Sequence, residues 1–181
     1  MKLVGIAGAL AGWKTNVVVH QVLEAAESID SNVKTELIDL RDYEVELVNG
    51  EPLAYYNEDT FTVVNKVLAA DFLVIGTPIY QASITGVLKN LLDHLPVDAF
   101  KSKVTGMITT GAIDKHFLVA DYQLKPILSY LKGLVPSESV FVHNDSFDDV
   151  NNIIDEDVTK RIHKLAEEMI FLQRSLESKN N

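Results

Sequence analysis

The sequence predicts a three-layer α/β sandwich built on a five-stranded parallel sheet of order 2-1-3-4-5. Three observations predict it. Strand-like and helix-like segments alternate along all 181 residues. The strands read as short apolar runs, the pattern of strands covered on both faces. Five such runs are present, which favours this order over the six-stranded dinucleotide fold. No Pro/Gly/Ser-rich linker and no internal repeat divides the chain, so residues 1–181 read as a single domain with a sizeable core.

The elements follow in order. Leu3–Ala7 is an apolar run closed by Gly8, hence a buried strand. A signal peptide is the poorer reading of this start, because the run ends in Gly-rich sequence. Thr15 or Asn16 offers a cap for a helix through Val17, Val18, Val22, Leu23 and Ala26. Val33–Leu40 is the second strand, and Arg41 to Asn57 is irregular. Asp59 or Thr60 opens a helix to about Ala70. Phe72–Gly76 is a strand stopped by Thr77-Pro78, and Ser83 or Thr85 opens a helix through Leu95, stopped by Pro96. Lys103–Thr110 is a strand. Asp114 to Leu131 is a helix, with a kink or π-bulge expected at Lys125-Pro126 because the proline removes a backbone donor. Ser139–His143 is the fifth strand, and Asp155 to Leu176 the final amphipathic helix, ahead of a polar tail from Ser175 to Asn181.

Composition excludes several functions. Lys+Arg is 16 and Asp+Glu is 26, a net charge of −10. Such a surface repels phosphate backbones and anionic lipid, so nucleic-acid and membrane-surface binding are not expected. No run is long enough to span a membrane. Cysteine is absent, which removes disulfides, thiolate metal sites and cysteine nucleophiles, and suits a cytoplasmic setting. His20, His143 and His163 lack an i,i+4 or clustered His partner, so a histidine metal site is not expected. His94 reads as a helix C-terminal residue that complements the dipole. No G-x-S-x-G elbow occurs, which argues against an α/β-hydrolase.

In an open parallel sheet of this order, ligands sit beyond the carboxyl ends of the strands, near the switch between the first and third. That rule selects three loops. The first, Gly8 to Asn16, joins a strand to a helix N-terminus, where free N–H groups and the helix dipole favour phosphate. Lys14, Thr15 and Asn16 add a charge and donors. The spacing is neither that of a P-loop nor of G-x-G-x-x-G. In the second loop, Pro78 fixes the turn, and the backbone of Ile79 to Ala82 with Tyr80 is suited to a flat heterocycle. Gly86 suggests close approach of another backbone. The third loop runs Thr109-Thr110-Gly111-Ala112 to His116.

The run Pro78-Ile79-Tyr80, Ser83, Gly86, Leu88-Lys89-Asn90 and Asp93 resembles the P-x-Y-x-x-S-x-x-G-x-L-K-N-x-x-D signature of the NAD(P)H-dependent FMN reductase family. Thr109 to Ala112, His116 and Ala120-Asp121-Tyr122-Gln123-Leu124-Lys125-Pro126-Ile127-Leu128 are similar to its members that supply reduced flavin for sulfonate utilisation. The resemblance implies a flavodoxin-like fold, a homodimer or homotetramer, and FMN lying across a subunit interface. NADPH or NADH would stack on the flavin and deliver hydride, so no side-chain acid or base is required. It further implies that Gly8, Ala9, Ala11, Lys14, Thr15 and Asn16 hold the FMN phosphate. Pro78, Ile79, Tyr80 and Gln81 would line the isoalloxazine edge. Thr110, Gly111 and Ala112 would lie along its pyrimidine end with His116 nearby, and Ala82 or Ser83 would border the nicotinamide approach.

Two departures stand out. The family's first loop commonly reads G-S-x-R-x-x-S, and here Ala9 and Ala11 replace the Ser and the Arg. Losing the Arg removes a bidentate phosphate contact. Ala112 replaces the second glycine of the third loop, and its methyl crowds a close backbone approach. Both changes imply weaker FMN binding. The expected activity is reduction of FMN by NAD(P)H, with a flavin-dependent monooxygenase as one possible receiver. A reductase that keeps FMN bound and acts on quinones, azo dyes or nitroaromatics, and a flavodoxin-like electron carrier, remain the alternatives.

Overall fold

Alternation of apolar side chains across a pleated strand places successive residues on opposite faces. Here both faces are apolar. Leu3, Phe72 and Val74 point into one core with Val18, Val22, Ile162 and Met169. Val4, Ile6, Leu73 and Ile75 point into the other with Val63, Val67, Leu88, Leu91 and Leu128. That double burial is why the strands read as runs and why helices cover both sides.

The computed structural model describes residues 1–180. The elements are β1 (Lys2–Ala7), α1 (Lys14–Ile29), β2 (Lys34–Asp39), α2 (Glu58–Leu68), β3 (Phe72–Pro78), α3 (Gly86–Asp93), β4 (Thr105–Gly111), α4 (Lys125–Tyr130), β5 (Val140–His143) and α5 (Glu156–Asn180). The five strands are parallel in the order β2-β1-β3-β4-β5, as the sequence predicts. No described helix is long and apolar enough to cross a membrane. The polar tail from Ser175 continues α5 through Asn180, and Asn181 lies outside the described residues.

Several starts differ from expectation. α1 begins at Lys14 with Trp13 in the cap position and no side-chain cap bond. Thr15 and Asn16 are drawn into long-range bonds instead. α2 begins one turn-residue earlier than expected because Asn57 accepts from the Thr60 N–H. Thr85, not Ser83, caps α3 by accepting from the Leu88 N–H. Gly86 is the first residue of that helix, and a Cβ there would meet nothing within 4 Å, so no backbone approaches it. The helix expected over Asp114 to Leu131 is broken into a 3-10 turn (Asp114–Phe117), a π-turn (Ala120–Leu124) and α4. The π-turn immediately precedes Pro126, where the missing donor loosens the ladder.

The irregular segment after β2 contains 3-10 turns at Leu40–Asp42 and Leu53–Tyr55. α3 clasps it. The Asn90 amide donates to Glu46 O at 2.9 Å and accepts from the Val48 N–H at 3.0 Å. His94, expected to serve the helix dipole, places Nε2 2.8 Å from Glu46 O and meets the Tyr56 ring edge-on at 4.6 Å.

Candidate active site

The carboxyl ends of β1, β3 and β4 converge on one rim of the sheet. The Gly8 N–H donates to Gly76 O at 2.8 Å, and the Ile79 N–H donates to Thr110 O at 2.9 Å. A Cβ on Gly8 would lie 2.9 Å from Gly76 O, so this loop leaves its strand only through glycine. Thr85 Oγ1 donates to Gly8 O at 2.6 Å and ties the second loop to the first.

The three loops enclose a cleft of about 380 Å³. Ala11, Lys14 and Thr15 border it from the first loop, and Pro78, Ile79 and Tyr80 from the second. Thr110, Gly111, Ala112 and His116 border it from the third. Gly8, Ala9, Asn16 and Gln81 do not. Gly8 and Ala9 are buried beneath the loop. Asn16 turns toward β2, where Nδ2 donates to Asp39 at 2.5 Å. Gln81 is exposed in a turn at φ 48. Gly12, Trp13, Ile113, Asn144 and Asn151 also border the cleft. Asn144 directly follows β5, so the strand-end rule applied to the fifth strand finds it. Asn151 carries no such signal.

The first loop has the features of an anion site. Among the described residues, the backbone N–H groups from Ala9 to Asn16 have no acceptor. They open onto the N-terminus of α1, whose first turn holds no acidic residue. Lys14 is steered across the cleft, with Nζ donating to Asn144 O at 3.2 Å and lying 5.0 Å over the Phe147 ring. Thr15 Oγ1 meets Thr110 Oγ1 at 3.1 Å, both buried.

An arginine does reach this loop, but from the 3-10 turn that follows β2. Arg41 donates Nη1 to Gly12 O at 3.1 Å, and its guanidinium lies 3.7 Å from the Trp13 ring centroid. Asp39 anchors it from Nε at 2.9 Å and from Nη2. Burial pushes the Asp39 carboxyl up, but the bonds from Arg41 and Asn16 outweigh it and hold it below the ordinary carboxylate value.

The other walls are fixed as firmly. Tyr80 and Ser83 exchange backbone bonds of 3.0 Å around Gln81 and Ala82. Ser83 Oγ donates to Gln123 Oε1 at 2.6 Å, and Gln123 Nε2 donates to Ala82 O at 2.8 Å. In the third loop, His143 Nδ1 accepts from the Asp145 N–H at 3.2 Å, so its Nε2–H donates to Ala112 O at 2.8 Å. His116 packs on Gly111, where a Cβ would come within 2.9 Å of its Nδ1. That buried Nδ1 has no partner among the described residues. Free N–H groups, one lysine, an unpaired imidazole nitrogen and apolar walls fit a phosphorylated flat heterocycle.

Comparison with known proteins agrees with this chemistry. Residues 1–147 match the model of the NADPH-dependent FMN reductase family. The chain is 45% identical over 178 residues to an NAD(P)H-dependent FAD/FMN reductase of Geobacillus thermodenitrificans, covering 98% of this chain and 96% of that one. An oxidoreductase from Corynebacterium diphtheriae superposes with a TM-score of 0.82 at 26% identity, over 96% of this chain and 97% of its own. A short-chain flavodoxin shares the fold, with a TM-score of 0.64 at 14% identity, over 95% of this chain and 97% of its own. By family model, by sequence and by a flavodoxin-like sheet with its cleft at the switch point, the chain belongs to the NADPH-dependent FMN reductase family.

Proposed function

We propose that the cleft binds a flavin mononucleotide and positions it to accept hydride from NADPH or NADH. The observation that carries this reading is the pairing of an anion loop with two flat backbone walls in one cleft. FMN supplies the hydride-accepting chemistry when bound. The N–H groups from Leu10 to Thr15 and the Lys14 ammonium hold its phosphate. Pro78, Ile79 and Tyr80 line one edge of the ring system, and Thr110, Gly111 and Ala112 the other. Gly8, Ala9 and Asn16 act beneath the loop rather than at the ligand, with Gly8 and Asn16 bonded to Gly76 and Asp39. Gln81 acts through the turn that shapes the second wall. His116 backs the pyrimidine end, with its ring packed on Gly111.

A single lysine is a weak clamp for a phosphate dianion. FMN therefore exchanges as a substrate, and reduced flavin leaves for an acceptor such as a flavin-dependent monooxygenase. Reliance on reduced nicotinamide nucleotide puts the working enzyme in the cytoplasm. Phe117, Leu118 and Tyr122 leave an exposed apolar surface around the π-turn. That surface suits a homodimer or homotetramer.

Steady-state kinetics with NADPH, then NADH, against varied FMN tests the reading. A sequential pattern with micromolar FMN affinity is expected. A ping-pong pattern with FMN retained through gel filtration would instead favour a reductase acting on quinones, azo dyes or nitroaromatics. FMN binding without bleaching by either nucleotide would sink both in favour of an electron carrier.

A further inference from the structure

Trp13 is the one tryptophan in the chain, and 60% of it is exposed. Its exposure is not looseness. The Arg41 guanidinium lies 3.7 Å from the indole centroid. Arg41 is fixed in turn by Asp39 and by Gly12 O. The indole borders the cleft next to Lys14. Arg41 does not; it borders a second cavity of about 380 Å³ behind the loop, with Leu10 and Tyr43. A flat aromatic ring, braced by a cation and open to water beside an anion site, is the arrangement that stacks a nucleobase.

We infer that Trp13 is the stacking platform for the adenine of FAD, whose pyrophosphate lies at the first loop. The inference rests on the phosphate reading of that loop. It also accounts for the charge there. Ala9 and Ala11 bring no donor side chain, and Lys14 is the sole ammonium on the cleft. A terminal phosphate concentrates up to about two charges on one phosphorus, whereas a pyrophosphate diester spreads the same total over two. Stacking by Trp13 supplies the affinity that the sparse positive charge does not. FAD carries this chemistry; the nicotinamide dinucleotide does not, because it meets a flavin whose phosphate already occupies the loop.

The test uses full-length protein with Trp13→Ala and Trp13→Phe. Dissociation constants for FMN, FAD and riboflavin are measured by calorimetry, and KM for NADPH at saturating FMN. Circular dichroism and sedimentation accompany each variant. Trp13→Ala is expected to weaken FAD about tenfold more than it weakens FMN, the middle of the range for base–aromatic stacking, and to leave KM for NADPH unchanged. Trp13→Phe restores most of that difference. A loss confined to FAD supports the assignment, and one confined to NADPH overturns it. Equal losses for FMN and FAD with KM unmoved overturn the proposal, as does no loss at all. A loss that tracks a change in assembly mass overturns it too. If the unaltered protein binds riboflavin as well as FMN, no phosphate sits at the loop, and the underlying reading falls with it.

Discussion

The hydroxyls of Thr15 and Thr110 meet 3.1 Å apart beneath the cleft, though 95 residues separate them in the chain. One stands in the first turn of α1 and the other near the end of β4. Their bond sets the spacing between the anion loop and the third loop.

Removing either hydroxyl leaves the other buried and unpaired. Thr15→Val and Thr110→Val are each expected to lower stability by about 1–2 kcal/mol. The double variant should lose less than the sum, because both polar groups are then gone. Urea midpoints at unchanged slope measure this. Strict additivity would show that the two hydroxyls do not interact.

Gly76 sits where β3 passes under α1. A Cβ there would lie 2.3 Å from Val19 Cγ2, and Val19 is fully buried. Gly76→Ala is expected to cost about 1–3 kcal/mol through overpacking. Adding Val19→Ala should recover part of that loss. A thermal melt of the pair decides, and an unchanged melting temperature for Gly76→Ala alone would refute the clash.

Lys14 is the ammonium of the cleft. Lys14→Met is expected to weaken FMN about tenfold or more while leaving riboflavin nearly unchanged, since a charge-assisted bond to phosphate contributes about 1.5–3 kcal/mol. The salt dependence of FMN affinity should fall as well. Equal weakening of both flavins would place the lysine away from the phosphate.

Asp39 titrates below the ordinary carboxylate value of 3.8 in the fold. A depressed carboxyl stabilises the fold above its unfolded value, and that contribution disappears as pH falls through the folded value. Asp39→Asn is therefore expected to lower the melting temperature at neutral pH and to flatten its decline below about pH 4. Parallel acid limbs for the two proteins would contradict the assignment.

Gln81 and Ala82 hold φ of 48 and 60 between Tyr80 and Ser83. Residues with a Cβ pay for the left-handed region, and this turn shape favours Asn-Gly. Replacing the pair by Asn-Gly is expected to stabilise the protein by about 1 kcal/mol. A denaturation midpoint that fell would show that the native side chains hold the turn by contacts of their own.

The sheet was legible because its strands are apolar on both faces and end at Gly or Pro, as at Gly8 and Pro78. The loops that border the cleft followed from strand order alone. The start of α1 was not legible. Its two obvious caps, Thr15 and Asn16, bond to Thr110 and Asp39, and no local pattern encodes partners so far away. Arg41 was missed for the same reason, since only the pairing of β1 with β2 brings it to Trp13. Gly86 misled because a glycine opening a helix looks the same in sequence as one admitting a neighbouring backbone. The weakness before Pro126 was readable because proline chemistry is local, and it appears as the π-turn.

Gln123 lies inside that π-turn, beside the exposed Tyr122, yet its amide grips both Ser83 and Ala82 at the edge of the cleft. A push on Tyr122 from outside is thus a pull on the wall inside. Any surface that settles against this tyrosine acts as a hand on a lever whose short arm ends at the cleft. Were the proposed homo-oligomer to seat against this tyrosine, turnover per chain would fall on dilution.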